Sequence, residues 1–358
     1  MKQYFALGAY TEPILFGTGE VFQGKGRGIA LCSLEEGRIE ILGEIPVRNP
    51  SFLCVDESNR KIYAVNEMKE YLGEEGGGLT QLSYTGDFTM TVEGTWNAGG
   101  KDPCHIALSP DRRFLAISNF ASGSVTTFPV DGRGNVDGSG RKVIQHSGSS
   151  VHPVRQKGPH AHSCVFHRDT PLLFVPDLGI DKVVVYDCSG GTLSADEGRT
   201  ITVPPGCGPR YGEFSRDGGH FYLIDEISSQ VMHFTGREGR LSLRQTVNTL
   251  PGDFSGNNIC SDLHLSPDGS MLFASNRGHD SIVSYRVEKD GDLTFLARQS
   301  CGGRTPRNFA VDPSGSHLLV GNQDSDLISV FRIQPDGRLE MINNWNTGSP
   351  VCIMFFSK

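Results

Sequence analysis

Charged and polar side chains of unlike type recur along the sequence at intervals of roughly fifty residues. One series consists of Ser51, Cys104, His162, Arg210, Ser261 and Arg307. A second series follows it at a constant distance and consists of Glu67, Phe120, Leu178, Glu226, Arg277 and Gln323. If the repeat served only to build the fold, equivalent positions would not need side chains of such different types. We therefore expect the charged members of both series to act on a ligand.

Arginine is the most informative residue type in the two series. Its planar guanidinium binds a carboxylate or a phosphate through two parallel hydrogen bonds. The two series contain three arginines and only two carboxylates, so their net charge is positive; the arginines are Arg210, Arg277 and Arg307, and the carboxylates are Glu67 and Glu226. This excess predicts the binding of a small anion. The same residues could instead form ion pairs that only hold neighbouring repeats together, and the sequence leaves that alternative open.

Short β-strands are the elements that must position these residues. Each copy of the repeat gives a strand, a polar turn and a second strand, as in 103–111 followed by 114–119. A third strand and then a fourth follow, as in 281–287 and 338–342. Short alternating strands separated by Gly, Asp and Asn turns are typical of β-hairpins. Four strands per unit at this period predict the blade of a β-propeller.

The strands outside the six complete units supply a seventh blade. One strand remains at the C-terminus, 351–356, and three remain at the N-terminus, 4–7, 29–34 and 39–45. Combining them closes the ring and removes exposed sheet edges. We therefore predict an all-β, seven-bladed propeller with four antiparallel strands per blade, forming a single domain over 1–358. A pair of β-sandwiches is the alternative fold, but sandwiches do not require this repeat.

The hairpin geometry predicts where the two series meet. The central turns lie at Ser58, Asp111, Asp169, Asp217, Asp268 and Ser314. Residues seven before and eight or nine after such a turn lie at the same end of an antiparallel hairpin, and so at one mouth of the channel. The residue eight after the turn is always Asn or Asp, as in Asn66, which most simply caps the next turn.

An acidic, glycine-rich insertion at 71–78 lies near this mouth and could act as a lid.

Composition restricts the partners and the compartment. The net charge of −8 argues against nucleic acid, because phosphates attract a basic surface. The nine cysteines are scattered, odd in number and without a C-x-x-C pair, which is typical of reduced thiols in a cytoplasm. We see neither a signal peptide nor an apolar run long enough to span a membrane. We expect a cytoplasmic protein without a membrane or nucleic-acid partner, and the sequence says nothing about its oligomeric state.

A metal site receives little support. His160 and His162 alternate on a presumed strand, and His152 and His167 are near in sequence. No carboxylate spacing completes a ligand set around them. We therefore expect no metal.

Several motifs together resemble the lactonase family of seven-bladed propellers, which includes bacterial propeller-type 6-phosphogluconolactonases and fungal carboxy-cis,cis-muconate cyclases. The resemblance covers essentially the whole chain, including Gly8-Ala-Tyr-Thr11. The motifs are Asn49-Pro-Ser-Phe-Leu, Tyr63-Ala-Val-Asn-Glu67, Arg155-Gln156 with Gly158-Pro-His-Ala-His-Ser163, Gly208-Pro-Arg210, Asp225-Glu226 and Asn276-Arg277. The resemblance implies a reaction on a lactone ring without a metal or an organic cofactor. It also implies that the site residues of the family correspond to His162, Arg210, Glu226 and Arg277.

Hydrolysis of a lactone, an intramolecular ester, assigns chemistry to these four residues. Water needs a general base, for which His162 is the best candidate. The negative charge that develops on the carbonyl oxygen needs a donor such as an arginine. Glu226 could orient His162, act as the base or position an arginine, and these alternatives stay open. We expect the substrate to be bound by His160, Arg307, Arg155, Glu67, Asn66 and Gln323.

We therefore predict an enzyme, a lactone hydrolase acting on a sugar-acid lactone, with 6-phosphogluconolactone as the favoured small-molecule substrate. Two other activities are alternatives: a carboxymuconate-type cyclase that forms a lactone, and hydrolysis of an unphosphorylated aldonolactone. A non-catalytic, protein-binding propeller is a further alternative. The charged mouth and the missing Gly-His and Trp-Asp repeat signature argue against that last class.

Overall fold

The computed structural model describes residues 2–16 and 19–357, so the predicted extent of 1–358 includes four positions outside it. Within the described range, seven antiparallel sheets pack side by side around a central channel. Each sheet has four strands except one, which has a fifth. The prediction of an all-β, seven-bladed propeller is confirmed.

Blades 1 to 6 follow one another along the chain, each beginning with its innermost strand. Blade 1 comprises Pro50–Asp56, Lys61–Asn66, Gly78–Tyr84 and Met90–Asn97. Blade 2 comprises Pro103–Leu108, Phe114–Asn119, Ser124–Pro129 and Lys142–Gln145. Blade 3 comprises Val165–Phe166, Leu172–Asp177, Lys182–Asp187, Ser194–Ala195 and Ile201–Thr202. Blade 4 comprises Pro209–Phe214, His220–Asp225, Gln230–Arg237 and Arg240–Asn248. Blade 5 comprises Ile259–Leu265, Met271–Arg277, Ser281–Val287 and Leu293–Ser300. Blade 6 comprises Pro306–Val311, His317–Asn322, Leu327–Ile333 and Leu339–Asn346.

Blade 7 joins the two ends of the chain. Its innermost strand is Pro350–Phe356, followed outward by Gln3–Ala9, Ile29–Glu35 and Arg38–Ile45. The C-terminal strand pairs antiparallel with Gln3–Ala9, for example through Leu7 and Ile353. The predicted closure by one C-terminal and three N-terminal strands is therefore confirmed.

Two short hairpins and two turns of 3-10 helix lie outside the blades. The N-terminal hairpin pairs Pro13–Leu15 with Val21–Gln23, and the second hairpin pairs Glu70–Tyr71 with Glu74–Glu75. The helical turns are Gly138–Gly140 and Gln323–Ser325. No helix in the described part of the chain is long and apolar enough to cross a membrane.

A β-bulge interrupts five of the innermost strands at the position of the first series. In blade 2, Pro103 pairs with Asn119 and His105 with Ser118, which leaves Cys104 without a partner residue. The same register shift occurs at Ser51, Arg210 and Arg307, and in blade 5 the shift spans Ser261 and Asp262. A bulged residue bends its strand and re-aims its side chain. The bulge is thus the local reason why this position can supply functional groups.

Blade 3 departs from the regular pattern near the predicted site. Its innermost strand is reduced to Val165–Phe166, although the repeat predicts a strand from residue 162. The preceding segment is held by single contacts: Ala161 bridges to Asp177, and the His162 amide donates to the Pro176 carbonyl at 2.9 Å. The Cys164 amide donates to Nδ1 of His105 at 3.2 Å instead of joining the ladder. A side chain of blade 2 has therefore replaced a backbone partner.

The apolar core lies between adjacent blades. Between blades 3 and 4, for example, Phe174 and Val183 pack against Phe221 and Leu223. The Asn or Asp eight residues after each turn is fully buried. Asn119 illustrates its structural role, because Nδ2 donates to Thr126 Oγ1 at 2.9 Å within the same blade.

Candidate active site

A cavity of about 510 Å³ opens at one mouth of the channel; we call it the main cavity. Five members of the second series line it: Glu67, Phe120, Glu226, Arg277 and Gln323. Three members of the first series, Cys104, His162 and Arg307, also line it. Pockets of this size suit small molecules. The structure thus brings together, from six blades, residues that are far apart in sequence.

A second, inner cavity of about 30 Å³ lies deeper in the channel. Arg210 and Ser51 line the inner cavity, and Cys104, His162 and Arg307 line both. Arg210 therefore lies one layer below the main cavity.

Glu226 is the centre of a buried cluster of arginines. Its Oε2 accepts hydrogen bonds from Arg210 Nε at 2.9 Å and from Arg277 Nη2 at 2.8 Å, while Oε1 accepts from Arg155 Nη2. Burial alone would raise the pKa of Glu226, but the charges of Arg155, Arg277 and Arg210 hold it well below its ordinary value. A carboxylate stabilised in this way is ionised and accepts protons poorly.

His162 is a buried, neutral imidazole. Burial lowers its pKa well below the ordinary value, and the positive charge of Arg210 lowers it further. The ring packs edge-on against Phe120 with centroids 5.5 Å apart, and Nδ1 lies 3.8 Å from the Sγ of Cys104. None of the hydrogen bonds between described residues joins the imidazole to Glu226. A neutral histidine facing a cavity can accept a proton.

Cys104 does not form an activated pair with His162. Burial raises the pKa of the Cys104 thiol well above its ordinary value, and the negative charge of Glu67 raises it further. The thiolate is the nucleophilic form, so Cys104 is a neutral, weakly reactive neighbour at neutral pH.

Arg307, the third arginine that lines the main cavity, has different surroundings. The Arg307 guanidinium lies over the rings of Tyr10 and Phe16, at 5.3 and 5.5 Å from their centroids. Its Nη2 is 3.5 Å from Oε1 of Glu67. The other Glu67 oxygen, Oε2, accepts a hydrogen bond of 2.8 Å from the Tyr10 hydroxyl.

Comparison with known proteins connects this site with lactone chemistry. The sequence model of the family described as "Lactonase, 7-bladed beta-propeller" matches residues 5–355. The chain belongs to this lactonase family. Membership makes it an enzyme, a lactone hydrolase.

Individual relatives agree with this membership. The 6-phosphogluconolactonase of Bacillus subtilis is 30% identical over 268 residues, 74% of this chain and 74% of that protein. The 6-phosphogluconolactonase of Formosa agariphila is 32% identical over 288 residues, 78% of this chain and 80% of that protein. The structure of the periplasmic gluconolactonase of Pseudomonas aeruginosa superposes with a TM-score of 0.90 at 33% identity, covering 100% of this chain and 99% of that one.

Two of the predicted substrate-binding residues of this lactonase lie outside the lining of the main cavity. Both ends of the Asn66 amide are engaged: Nδ2 donates to the Arg48 carbonyl at 2.6 Å and Oδ1 accepts from Thr80 Oγ1 at 2.8 Å. The His160 ring stacks on Phe120 at 4.6 Å, and its Nδ1 bonds the Phe120 carbonyl at 2.9 Å. These geometries give both residues a supporting position behind the cavity wall.

Sequence reasoning missed other residues that line the main cavity. Asp102, Ile259 and Thr305 lie two residues before the first series: Ile259 begins its innermost strand, and the other two immediately precede theirs. Because the three share one offset from the first series, extending each copy of the repeat by two residues could have found them. Leu15, Phe16 and Phe22 of the N-terminal hairpin also line the cavity, and no repeat signals them. The insertion at 71–78 contributes none of the described lining residues.

Proposed function

We propose that this lactonase hydrolyses a sugar-acid lactone, with 6-phosphogluconolactone as the favoured substrate. The observation that carries the proposal is the neutral His162 beside an arginine cluster in a cavity of about 510 Å³. The names of the Bacillus and Formosa relatives support the choice of a phosphorylated lactone. The gluconolactonase with a similar fold supports the unphosphorylated alternative.

In the proposed reaction, His162 removes a proton from water as the water oxygen attacks the lactone carbonyl carbon. The carbonyl oxygen gains negative charge, which Arg277 stabilises from the cavity wall. The ring C–O bond then breaks, and the leaving ring oxygen takes the proton from His162. The product is the open-chain hydroxy acid, so atoms and protons balance with no further reactant.

Glu226 acts in this scheme as a positioning residue. Its carboxylate accepts bonds from three guanidinium groups and so fixes Arg155, Arg210 and Arg277 despite their mutual repulsion. Its lowered pKa supports this role over that of general base.

Turnover of a small lactone panel tests the proposal. The panel contains 6-phosphogluconolactone, gluconolactone and a carboxymuconolactone, with the spontaneous rate subtracted. We expect hydrolysis of the sugar-acid lactones, fastest for the phosphorylated one. Faster conversion of gluconolactone would favour the aldonolactonase, and interconversion of carboxymuconate and its lactone would favour the cyclase. If none of the three lactones reacts, the proposed substrate class is wrong.

Chelation should leave this turnover unchanged. Among the described residues, no group of three or more His, Cys, Asp or Glu side chains is arranged to hold a metal ion. The proposed chemistry needs only His162 and arginines. Rates measured before and after exhaustive treatment with a chelator, followed by dialysis, should agree within error. Activity that is lost and then restored by one divalent metal would contradict the metal-free mechanism.

We also propose a cytoplasmic location. All nine cysteines are free, and eight of them are buried. Unpaired thiols are typical of reducing compartments. Cell fractionation tests this proposal. Recovery of the protein with periplasmic markers, in the compartment for which the Pseudomonas gluconolactonase is named, would contradict it.

A further inference from the structure

The four arginines of the site divide into two groups. Arg155, Arg210 and Arg277 each donate a hydrogen bond to the carboxylate of Glu226. The Arg307 guanidinium donates no hydrogen bond to any described residue, and its nearest carboxylate oxygen is Oε1 of Glu67 at 3.5 Å. A guanidinium carries five N–H donors, so most of the hydrogen-bonding capacity of Arg307 remains unused.

The unused donors of Arg307 are held in place by packing. Its side chain is 13% exposed and lines the main cavity. The rings of Tyr10 and Phe16 flank the guanidinium at distances typical of cation–π contacts. Such contacts fix the plane of the group without consuming its in-plane donors. A planar set of donors in a partly closed cavity suits the oxygens of a phosphate or a carboxylate.

Glu67 forms an ion pair with this arginine but accepts no hydrogen bond from it. The Tyr10 hydroxyl binds Oε2 of Glu67 at 2.8 Å, and the remaining oxygen stays 3.5 Å from Arg307, beyond hydrogen-bond length for a charged pair. Tyr10 therefore both packs against the guanidinium and holds its competing carboxylate.

We propose that Arg307 is the anion anchor of the main cavity, and that it binds the phosphate or carboxylate of the substrate while the Glu226 cluster faces the lactone ring. The N-terminal hairpin takes part, because Phe16 belongs to it and packs on the anchor. The inference rests on the proposed function and narrows the substrate class to anionic lactones.

Titration of inorganic phosphate by calorimetry at low ionic strength tests the anchor without turnover. Arg307→Gln should weaken phosphate binding by about 10- to 100-fold, because charge-assisted hydrogen bonds are lost. Glu67→Gln should strengthen it by about three- to tenfold, because a nearby negative charge is removed. The matched control is Arg304→Gln, an exposed arginine on the same rim, which should change little. Thermal melting confirms that each variant is folded.

Steady-state turnover of a phosphorylated and an unphosphorylated lactone provides a second test of the anchor. For Arg307→Gln, kcat/KM with 6-phosphogluconolactone should fall by about 10- to 100-fold, mainly through KM, whereas gluconolactone hydrolysis should change less than about threefold. A merely structural arginine would reduce both substrates alike.

The outcomes separate the two proposals. If the wild type binds phosphate and Arg307→Gln binds it equally well, another arginine is the anchor and this inference is wrong. Unchanged discrimination between the two lactones in Arg307→Gln, or weaker phosphate binding in Glu67→Gln, would also overturn it. If phosphate binding follows the predicted order but no lactone is hydrolysed, the anchor stands and the proposed function fails.

Discussion

Replacing His162 with glutamine should slow lactone turnover by about 10²- to 10⁴-fold, the usual contribution of a general base. The position does not need histidine for folding, because the other five complete units hold Ser, Cys or Arg there. The ring is buried, but its main contacts are Phe120 and Cys104, which a glutamine can still pack against. Steady-state kinetics, with thermal melting to confirm the fold, measure the effect.

The pH profile of the wild type should carry the signature of this base. A lowered pKa keeps His162 neutral, and therefore active, at pH values below the 6.5 at which a free imidazole is half protonated. Activity falls only when the pH drops through the lowered pKa. We therefore expect the acid limb of kcat/KM below pH 6.5 in the wild type and its absence in His162→Gln.

Glu226→Gln is the decisive comparison, because it keeps the shape of the side chain and removes its charge. The negative charge of Glu226 raises the pKa of His162, so its removal should move the acid limb to still lower pH. Turnover should also fall, because three guanidinium groups lose their common partner. The pH profile of Glu226→Gln should still show an acid limb. If Glu226→Gln instead loses the limb and nearly all activity while His162→Gln stays active, the glutamate is the base.

Deletion of the last eight residues, 351–358, should prevent stable folding. Val351, Cys352, Ile353 and Phe356 of the lost strand are buried. Burying one apolar side chain contributes about 1.5–3 kcal/mol, so the loss approaches the whole stability of a typical domain, about 5–15 kcal/mol. The deletion also opens the ring and exposes the edge of Gln3–Ala9.

Circular dichroism during thermal and urea unfolding measures this prediction. A matched variant that lacks only 357–358 keeps the whole strand Pro350–Phe356 and should melt within a few degrees of the full chain. Cooperative melting of the eight-residue deletion near the full-length temperature would contradict the role of the composite blade. It would also weaken our proposal that 1–358 forms a single cooperative domain.

The architecture, and the mouth of the channel that carries the site, could be predicted from the amino-acid sequence. Propeller blades repeat, so a turn in each copy fixes the register of its hairpin, as between Pro103 and Asn119. Once the register is known, residues at constant distances from the turn must lie at one end of every blade. This is why His162 and Glu226 could be placed at one mouth although they belong to different blades.

Which of these residues are partners, and which ones face the cavity, emerged only from the packed structure. The bulge that aims Arg210 and Arg307 into the channel leaves no mark in the hydrophobic pattern. Glu226 binds Arg210 of its own blade, Arg277 of blade 5 and Arg155 of a loop, but not Arg307, because no repeat specifies how neighbouring blades and loops approach a side chain in the channel. Asn66 turns into its own blade, where its partner Thr80 lies on the next strand. Register is a local property of one hairpin, whereas ion pairing across a channel depends on how seven hairpins are packed.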